Sequence, residues 1–232
     1  MYKCDIMKSS EKLCKIKVER MKKMPKISPF EKHFDRYEEW FVENEYAYQS
    51  ELDAVKFLMP KFEKGLEVGI GTGRFALPLG IKNGIEPSLQ MRKIAIEKGL
   101  NVIEGVAENL PFEDSSFDLV LMVTTICFVD DPLKALKECY RVLKNDGTIL
   151  IGFVDRDSTI GRIYQANKEK SLFYKEATFF TTAEIVELLY EAGFKNFNFS
   201  QTIFKKLDEI KEKEPVKYGF GKGSFVVISA KK

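Results

Sequence analysis

Histidine is almost absent from this chain: His33 is the only one in 232 residues. Cysteine is scarce too. There are four, Cys4, Cys14, Cys127 and Cys139, and no two of them form a Cys-x-x-Cys pair. These absences argue against a tetrahedral zinc centre. With no export signal in view, a disulfide framework is also unexpected in a chain of this size, and the four cysteines read as reduced thiols. No apolar run approaches the length of a membrane span, and the first residues lack the apolar stretch of a secretion signal. An excess of one charge is missing as well: Lys plus Arg number 37 against 35 for Asp plus Glu. A near-neutral surface gives no reason to expect nucleic acid or an anionic membrane as the main partner. The expectation is a cytoplasmic protein that works on a small molecule.

The apolar fraction, 44%, is ample for a buried core, and the length suits one α/β domain with some decoration. Residues 1–27 carry nine basic side chains against three acidic ones and read as a solvated basic tail. Helical spacing begins at Ser28. Phe34, Tyr37, Trp40, Phe41, Tyr46 and Tyr48 make an aromatic-rich segment, followed by Leu52, Val55, Leu58 and Met59 at three- and four-residue intervals. Residues 1–62 therefore form a tail and an N-terminal helical lid, and residues 63–232 a ligand-binding domain.

After Gly65 strands and helices alternate. Strands are expected at Gly65–Val68, Asn83–Glu86, Val102–Glu104, Phe117–Val123, Thr148–Val154, Phe197–Ile203 and Ser224–Ala230. Between them stand a brief helix from Thr72 to about Pro78, helices capped by Ser88 and Asp131, and one that starts at Thr181 or Thr182 and ends at Gly193. Asn145-Asp146-Gly147 reads as a turn. This alternation predicts an α/β, doubly wound, mostly parallel sheet. Two segments, 155–180 and 204–223, are long for plain connections and are candidate lids or pocket walls.

The chemistry concentrates in Glu67-Val68-Gly69-Ile70-Gly71-Thr72-Gly73, where a strand runs into a glycine-rich turn. Glycines there let a ligand approach the main chain closely. The spacing does not fit G-x-G-x-x-G, because its third glycine would fall on Arg74. A carboxylate such as Glu67 attracts an ammonium group and repels a phosphate, so the turn suits a ligand with an amino-acid end. Glu86 closes the second strand in Gly84-Ile85-Glu86-Pro87-Ser88, where an acid can accept hydrogen bonds from both hydroxyls of a ribose.

From about Leu66 to Val154 the chain resembles the class I S-adenosylmethionine-dependent methyltransferases, and within them the type 11 group that includes the ubiquinone/menaquinone C-methyltransferases. The resemblance rests on the glycine turn and Glu86-Pro87-Ser88. To these are added Ala107-Glu108-Asn109-Leu110-Pro111-Phe112, Ser116-Phe117-Asp118-Leu119-Val120, and Arg141-Val142-Leu143-Lys144 with Gly147. It implies a Rossmann-like, seven-stranded sheet with the last strand antiparallel, and S-adenosylmethionine as cofactor with S-adenosylhomocysteine as product. The implied cofactor residues are Glu67, Gly69, Ile70, Gly71, Thr72 and Gly73 at the methionine end, with Glu86 at the ribose. Pro87, Met91, Val106, Ala107 and Glu108 would lie around the adenine, and Val123 and Thr124 at the end of the fourth strand. Family members usually carry Asp where this chain has Val106, so the adenine amino group is left to Glu108, a main-chain carbonyl or water.

The acceptor is expected just beyond Thr124 and Thr125, under a lid built from Tyr37, Trp40, Tyr46 and Tyr48 on one side and Tyr164, Phe173, Tyr174 and Phe179 on the other. Of these, Tyr37, Thr125, Tyr164 and Tyr174 are the candidate acceptor-binding residues. The stretch after the fourth strand, Val123-Thr124-Thr125-Ile126-Cys127-Phe128, has neither the Asn-Pro-Pro-Tyr nor the Pro-Cys expected of DNA-modifying methyltransferases. A small apolar or amine-bearing acceptor is therefore expected. Asp155, Asp157 and His33 are conceivable bases, and no catalytic residue is assigned. Two other readings stay open on the sequence alone: a nicotinamide-dependent oxidoreductase with a damaged fingerprint, and a non-catalytic cofactor sensor.

Overall fold

The computed structural model describes residues 28–232; the basic tail, with Cys4 and Cys14, lies outside the described residues. One sheet runs through the molecule. Its strands are β1 (Gly65–Val68), β2 (Asn83–Ile85), β3 (Asn101–Ile103), β4 (Phe117–Val123), β5 (Leu143–Val154), β6 (Lys195–Thr202), β7 (Lys217–Tyr218) and β8 (Phe225–Lys231). Their order is β3-β2-β1-β4-β5-β8-β6-β7. Strands β1 to β5 pair in parallel, and β8 runs antiparallel to both β5 and β6. The expected seven strands are all present, with the last antiparallel. The eighth, β7, pairs antiparallel with β6 at the edge. It is two residues long, too short to leave an alternating pattern in the sequence.

β4 is apolar apart from Asp118 because helices cover both sheet faces. Val120 and Met122 join a core with Leu136, Cys139, Ile185 and Leu189. Leu119, Leu121 and Val123 join a second core with Ala54, Val55, Ala76 and Ala95. Burial pushes the Cys139 thiol up to about 12, which makes it an inert core group.

The helices are α1 (Ser28–Lys32), α2 (Phe34–Glu43), α3 (Glu45–Leu58), α4 (Ala76–Leu79), α5 (Leu89–Glu97), α6 (Pro132–Val142), α7 (Thr159–Ala166) and α8 (Thr182–Glu191). The caps fall where the sequence places them. Ser88 accepts from the Met91 N–H, Asp131 accepts from the Lys134 N–H, and Thr181 forms a capping box with Glu184. α4 starts later than expected, at Ala76, because residues 72–75 are still part of the glycine turn. Pro78 sits inside its first turn, where the missing N–H has no helical partner to lose. The Asn145–Gly147 turn appears as an irregularity within β5, with Asp146 at φ 61° and a register shift against β4.

α3 is built into the fold. It packs on β6 and β8, the Ser200 hydroxyl donates to the Ala54 carbonyl at 2.9 Å, and the Ser50 hydroxyl accepts from the Glu214 N–H at 2.8 Å. Segment 204–223 is tied down by Glu214, which accepts from the Phe204 and Lys205 N–H groups, and by Gln201.

Candidate functional site

β1 ends in three glycines with positive φ: 70° at Gly69, 55° at Gly71 and 84° at Gly73. Each excludes a side chain for a different reason. A Cβ on Gly69 would lie 2.5 Å from the Thr125 side chain, and one on Gly71 would lie 3.0 Å from the Tyr37 hydroxyl. One on Gly73 would strike Leu100, in the connection from α5 to β3. Gly73 is thus a packing glycine, away from the cavity wall. Thr72 is also turned inward, fully buried, its hydroxyl donating to Glu38. These two differ from the expected cofactor set, because only the first half of the turn faces open space.

Glu67 and Glu86 stand at the carboxyl ends of neighbouring strands. Glu67 is 2% exposed, and its Oε2 has no hydrogen-bond partner among the described residues. Burial pushes it well above the usual carboxylate range, partly offset by the Ala76 backbone N–H, and the charge of Glu86 adds to the rise. Glu86 accepts from the Gly71 N–H and from the Ser88 N–H, both at 2.9 Å. Burial raises it to about 7 against the pull of those two bonds. A buried carboxylate oxygen without a donor is costly, and an incoming ammonium or hydroxyl group would relieve that cost.

The two acids line one end of a cavity of about 420 Å³, a size ordinary for small ligands. Gly69, Ile70, Gly71, Pro87, Met91, Val106 and Ala107 line the same end. The wall continues through Val123, Thr124 and Thr125 to Tyr37, Trp40, Glu51, Phe128, Tyr164, Phe173 and Tyr174. Glu108 also borders the cavity, but its Oε1 accepts from the N–H groups of Asp130 and Asp131, at 2.7 and 3.2 Å, and holds the loop before α6. Thr124 has φ 51°, an unfavourable conformation for a β-branched residue, at the point where the chain leaves β4. The Thr125 hydroxyl donates to the Val123 carbonyl at 3.0 Å and approaches the Gly69 carbonyl at 3.4 Å, so it ties the two loops together.

Tyr37 is closer to the cofactor end than expected. Its hydroxyl lies over Gly71, and burial together with the charges of Glu67 and Glu86 raises it. It stands at the junction of the two ends, because the same hydroxyl also acts on Tyr174. Tyr164 and Tyr174 stack with ring centroids 4.8 Å apart. Phe30 of α1 packs against Phe128 at 5.0 Å and against Phe173 at 5.3 Å, so the N-terminal helices meet the 155–180 segment across the cavity.

Three of the expected lid aromatics stand elsewhere. Tyr46 is 44% exposed on the outer face of α3. Tyr48 packs on Phe41 and Phe75 and donates to the Arg74 carbonyl at 2.5 Å. Phe179 is buried with Cys127 and Ala177. Segment 204–223 contributes nothing to the cavity wall. Asp155 is spent on structure: it accepts from the Asp157 N–H and from the Thr182 N–H and hydroxyl, which anchors the start of α8. Asp157 and His33 lie outside the cavity wall.

Arg74 lines the cavity although no motif in the sequence marks it as a site residue. It pairs with Glu38 and lies 5.0 Å over the Phe41 ring. Glu51 lines the cavity too. Its signal was available: with Ala47, Ala54 and Val55 it falls on one helical stripe, which puts an acid where an apolar residue is expected. Among the described residues no cluster of His, Cys, Asp and Glu could hold a metal ion, and no helix is long and apolar enough to cross a membrane.

A methyltransferase domain family matches residues 66–151. A solved structure from Thermotoga maritima, an S-adenosylmethionine-dependent methyltransferase described as a possible histamine N-methyltransferase, is 55% identical. The match covers 89% of this chain and 99% of that one, with a TM-score of 0.87. An uncharacterized protein of Methanocaldococcus jannaschii is 48% identical, over 89% of this chain and the whole of its own. A Staphylococcus aureus demethylmenaquinone methyltransferase is 29% identical over 59% of this chain and 69% of its own.

Proposed function

The chain belongs to the class I S-adenosylmethionine-dependent methyltransferases, and from that premise we propose that it methylates a small apolar or amine-bearing acceptor held beneath an aromatic lid. Family membership sets aside the nicotinamide and sensor readings. Where a dinucleotide fingerprint needs its third glycine, the large Arg74 side chain is locked against Glu38.

The residues present fit the family's cofactor. The orphaned Glu67 oxygen suits the ammonium of its amino-acid end, and Glu86 suits its ribose hydroxyls. When bound, S-adenosylmethionine supplies a methyl group already activated as part of a sulfonium. The protein's own work is then to place the acceptor in line and exclude water. Val106 offers no side-chain acceptor to an adenine amino group, and Glu108 keeps only its second oxygen free for one.

The observation that carries the acceptor reading is the cavity wall beyond Thr124 and Thr125. There Trp40, Phe128, Tyr164, Phe173 and Tyr174 enclose the space; among the described residues no lysine lines the cavity, and its arginines, Arg36 and Arg74, are paired with Glu39 and Glu38. Such walls favour apolar or cationic groups over polyanions, by about 0.5–2 kcal/mol for each well-placed ring. Histamine, in the description of the Thermotoga relative, is a cationic aromatic amine of that kind. Both substrate and cofactor would be met in the cytoplasm.

Two variant pairs test the two halves of this reading. Gly71→Val places a branched side chain against the Tyr37 hydroxyl and should abolish S-adenosylhomocysteine binding in calorimetry. Glu86→Ala should weaken that binding by about 1–3 kcal/mol. Unchanged affinity in both would refute the cofactor site. Tyr174→Ala and Trp40→Ala should leave that affinity within about twofold and lower methyl transfer to the acceptor. Unaltered transfer in both would remove the aromatic lid from the acceptor site.

A further inference from the structure

A charged side chain on the buried face of a helix needs a partner. On the inner stripe of α3, Ser50 has two: it donates to the Tyr46 carbonyl at 2.6 Å and accepts from the Glu214 N–H at 2.8 Å. Glu51, beside it, is 8% exposed and has no hydrogen-bond or ion-pair partner among the described residues. It lines the cavity, as do Trp40, Val154 and Tyr164. Its charge acts on the Tyr164 and Tyr174 hydroxyls and raises both. Glu67 and Glu86 contribute nothing to its own titration, which burial alone pushes up to about 8. Glu51 therefore belongs to the acceptor end of the cavity.

Resting on the methyltransferase reading above, we infer that Glu51 pairs with the ammonium group of a primary or secondary amine acceptor and takes the proton that its nitrogen must lose before methylation. An alcohol would leave Glu51 protonated and form no ion pair with it, and a carboxylate would oppose its ionisation. An ammonium group stabilises the ionised form and is also favoured by the aromatic wall to which Trp40, Tyr164 and Tyr174 belong. The proton step is balanced within the pair. One N–H bond breaks, an O–H bond forms on Glu51, and the electron pair stays on nitrogen as the lone pair that receives the methyl group. The methylated nitrogen is cationic again, and Glu51 is left protonated as in the free protein, so the one proton set free in each turnover is the one Glu51 gave up when the ammonium bound.

Few other titratable groups face Glu51. Tyr48 lies on its own helix, Tyr164 on α7 and Tyr174 beyond it, all with raised hydroxyls that stay protonated at neutral pH. Arg74 is engaged by Glu38. Glu86, raised to about 7, stands at the cofactor end beneath bound S-adenosylhomocysteine, and loss of the proton exchange in Glu51→Gln separates the two.

The experiment uses the full chain loaded with S-adenosylhomocysteine and titrates three isosteric probes by calorimetry: 2-phenylethylamine, 2-phenylethanol and 3-phenylpropionate. The amine should bind at least tenfold tighter than the alcohol, and the acid weakest. Repeating the amine titration at pH 7 in buffers of different ionisation enthalpy should show close to one proton released, as Glu51 ionises to meet the ammonium. In Glu51→Gln the amine should lose at least tenfold in affinity and release no proton, with the alcohol within twofold of wild type. Equal wild-type affinity for amine and alcohol, or amine binding without proton release, overturns the inference whatever the variant does. S-adenosylhomocysteine affinity is measured first. Its absence in the wild type would count against the cofactor reading, whereas its presence with failed amine arms removes only the role of Glu51.

Discussion

Gly73 and Glu51 show how far a residue's type is from its role. Gly73 belongs to the glycine turn by sequence, yet Leu100 is what forbids it a side chain. Glu51 carries no motif, yet it is a buried acid in the cavity wall with no partner among the described residues. Its cost to stability follows from linkage. A carboxyl raised to about 8 when folded and near 4.5 when unfolded binds more protons in the folded state, so stability falls as pH rises between those values. Glu51→Gln removes the buried charge and keeps the shape. The variant should melt with wild type at pH 5 and above it at pH 9, the difference being at most about 5 kcal/mol. Thermal melts at the two pH values check this. A variant less stable than wild type at pH 9 would mean that an internal donor compensates the Glu51 charge.

At the scale of elements, most of the sheet was legible because its signals are local. β4 reads as a strand from seven apolar-rich residues, and Ser88, Asp131 and Thr181 announce the helices that they cap. The glycine turn and Glu86 were legible for the same reason. What could not be read depends on distant packing. Nothing in residues 204–223 says that Glu214 will fold the segment on itself and tie it to Ser50 of α3, or that Gln201 of β6 will hold its end at the sheet instead of the cavity. The spacing of α3 does put Glu51 on the apolar stripe of Ala47, Ala54 and Val55, but not against which wall that stripe will pack. The lid is legible only as a composition, and Tyr46 and Phe179 show that aromatic content alone does not decide which ring faces the ligand. The contact that joins the two halves of the lid is Phe30 with Phe128 and Phe173. Phe30→Ala should therefore lower turnover severalfold and change the melting temperature by only a few degrees, because α1 buries little of the core. A large loss of stability, read in the same thermal melt, would make Phe30 a core residue and not a clasp.

For the molecule as a whole, the cavity joins parts of very different attachment. The carboxyl ends of β1, β2 and β4 belong to the sheet, whereas α1, α2 and residues 168–176 close over it from both sides. A ligand that touches both should bind them together. S-adenosylhomocysteine at a hundredfold excess over its dissociation constant should stabilise the native state by about 2.7 kcal/mol, by mass action alone. The distribution of that protection is the sharper test. Tyr37 sits over Gly71, and its neighbour Phe30 reaches Phe173, so order imposed at the glycine turn should spread into both halves of the lid. Hydrogen exchange should then slow on ligand binding in residues 30–43 and 168–176 as well as in the turn at 69–73. Residues 204–223, held by Glu214 and Gln201 away from the cavity, should exchange at the same rate with and without ligand. Slowing confined to the glycine turn would show that the lid closes independently of the cofactor. Equal slowing in 204–223 would point to a global stabilisation in which the lid has no special part.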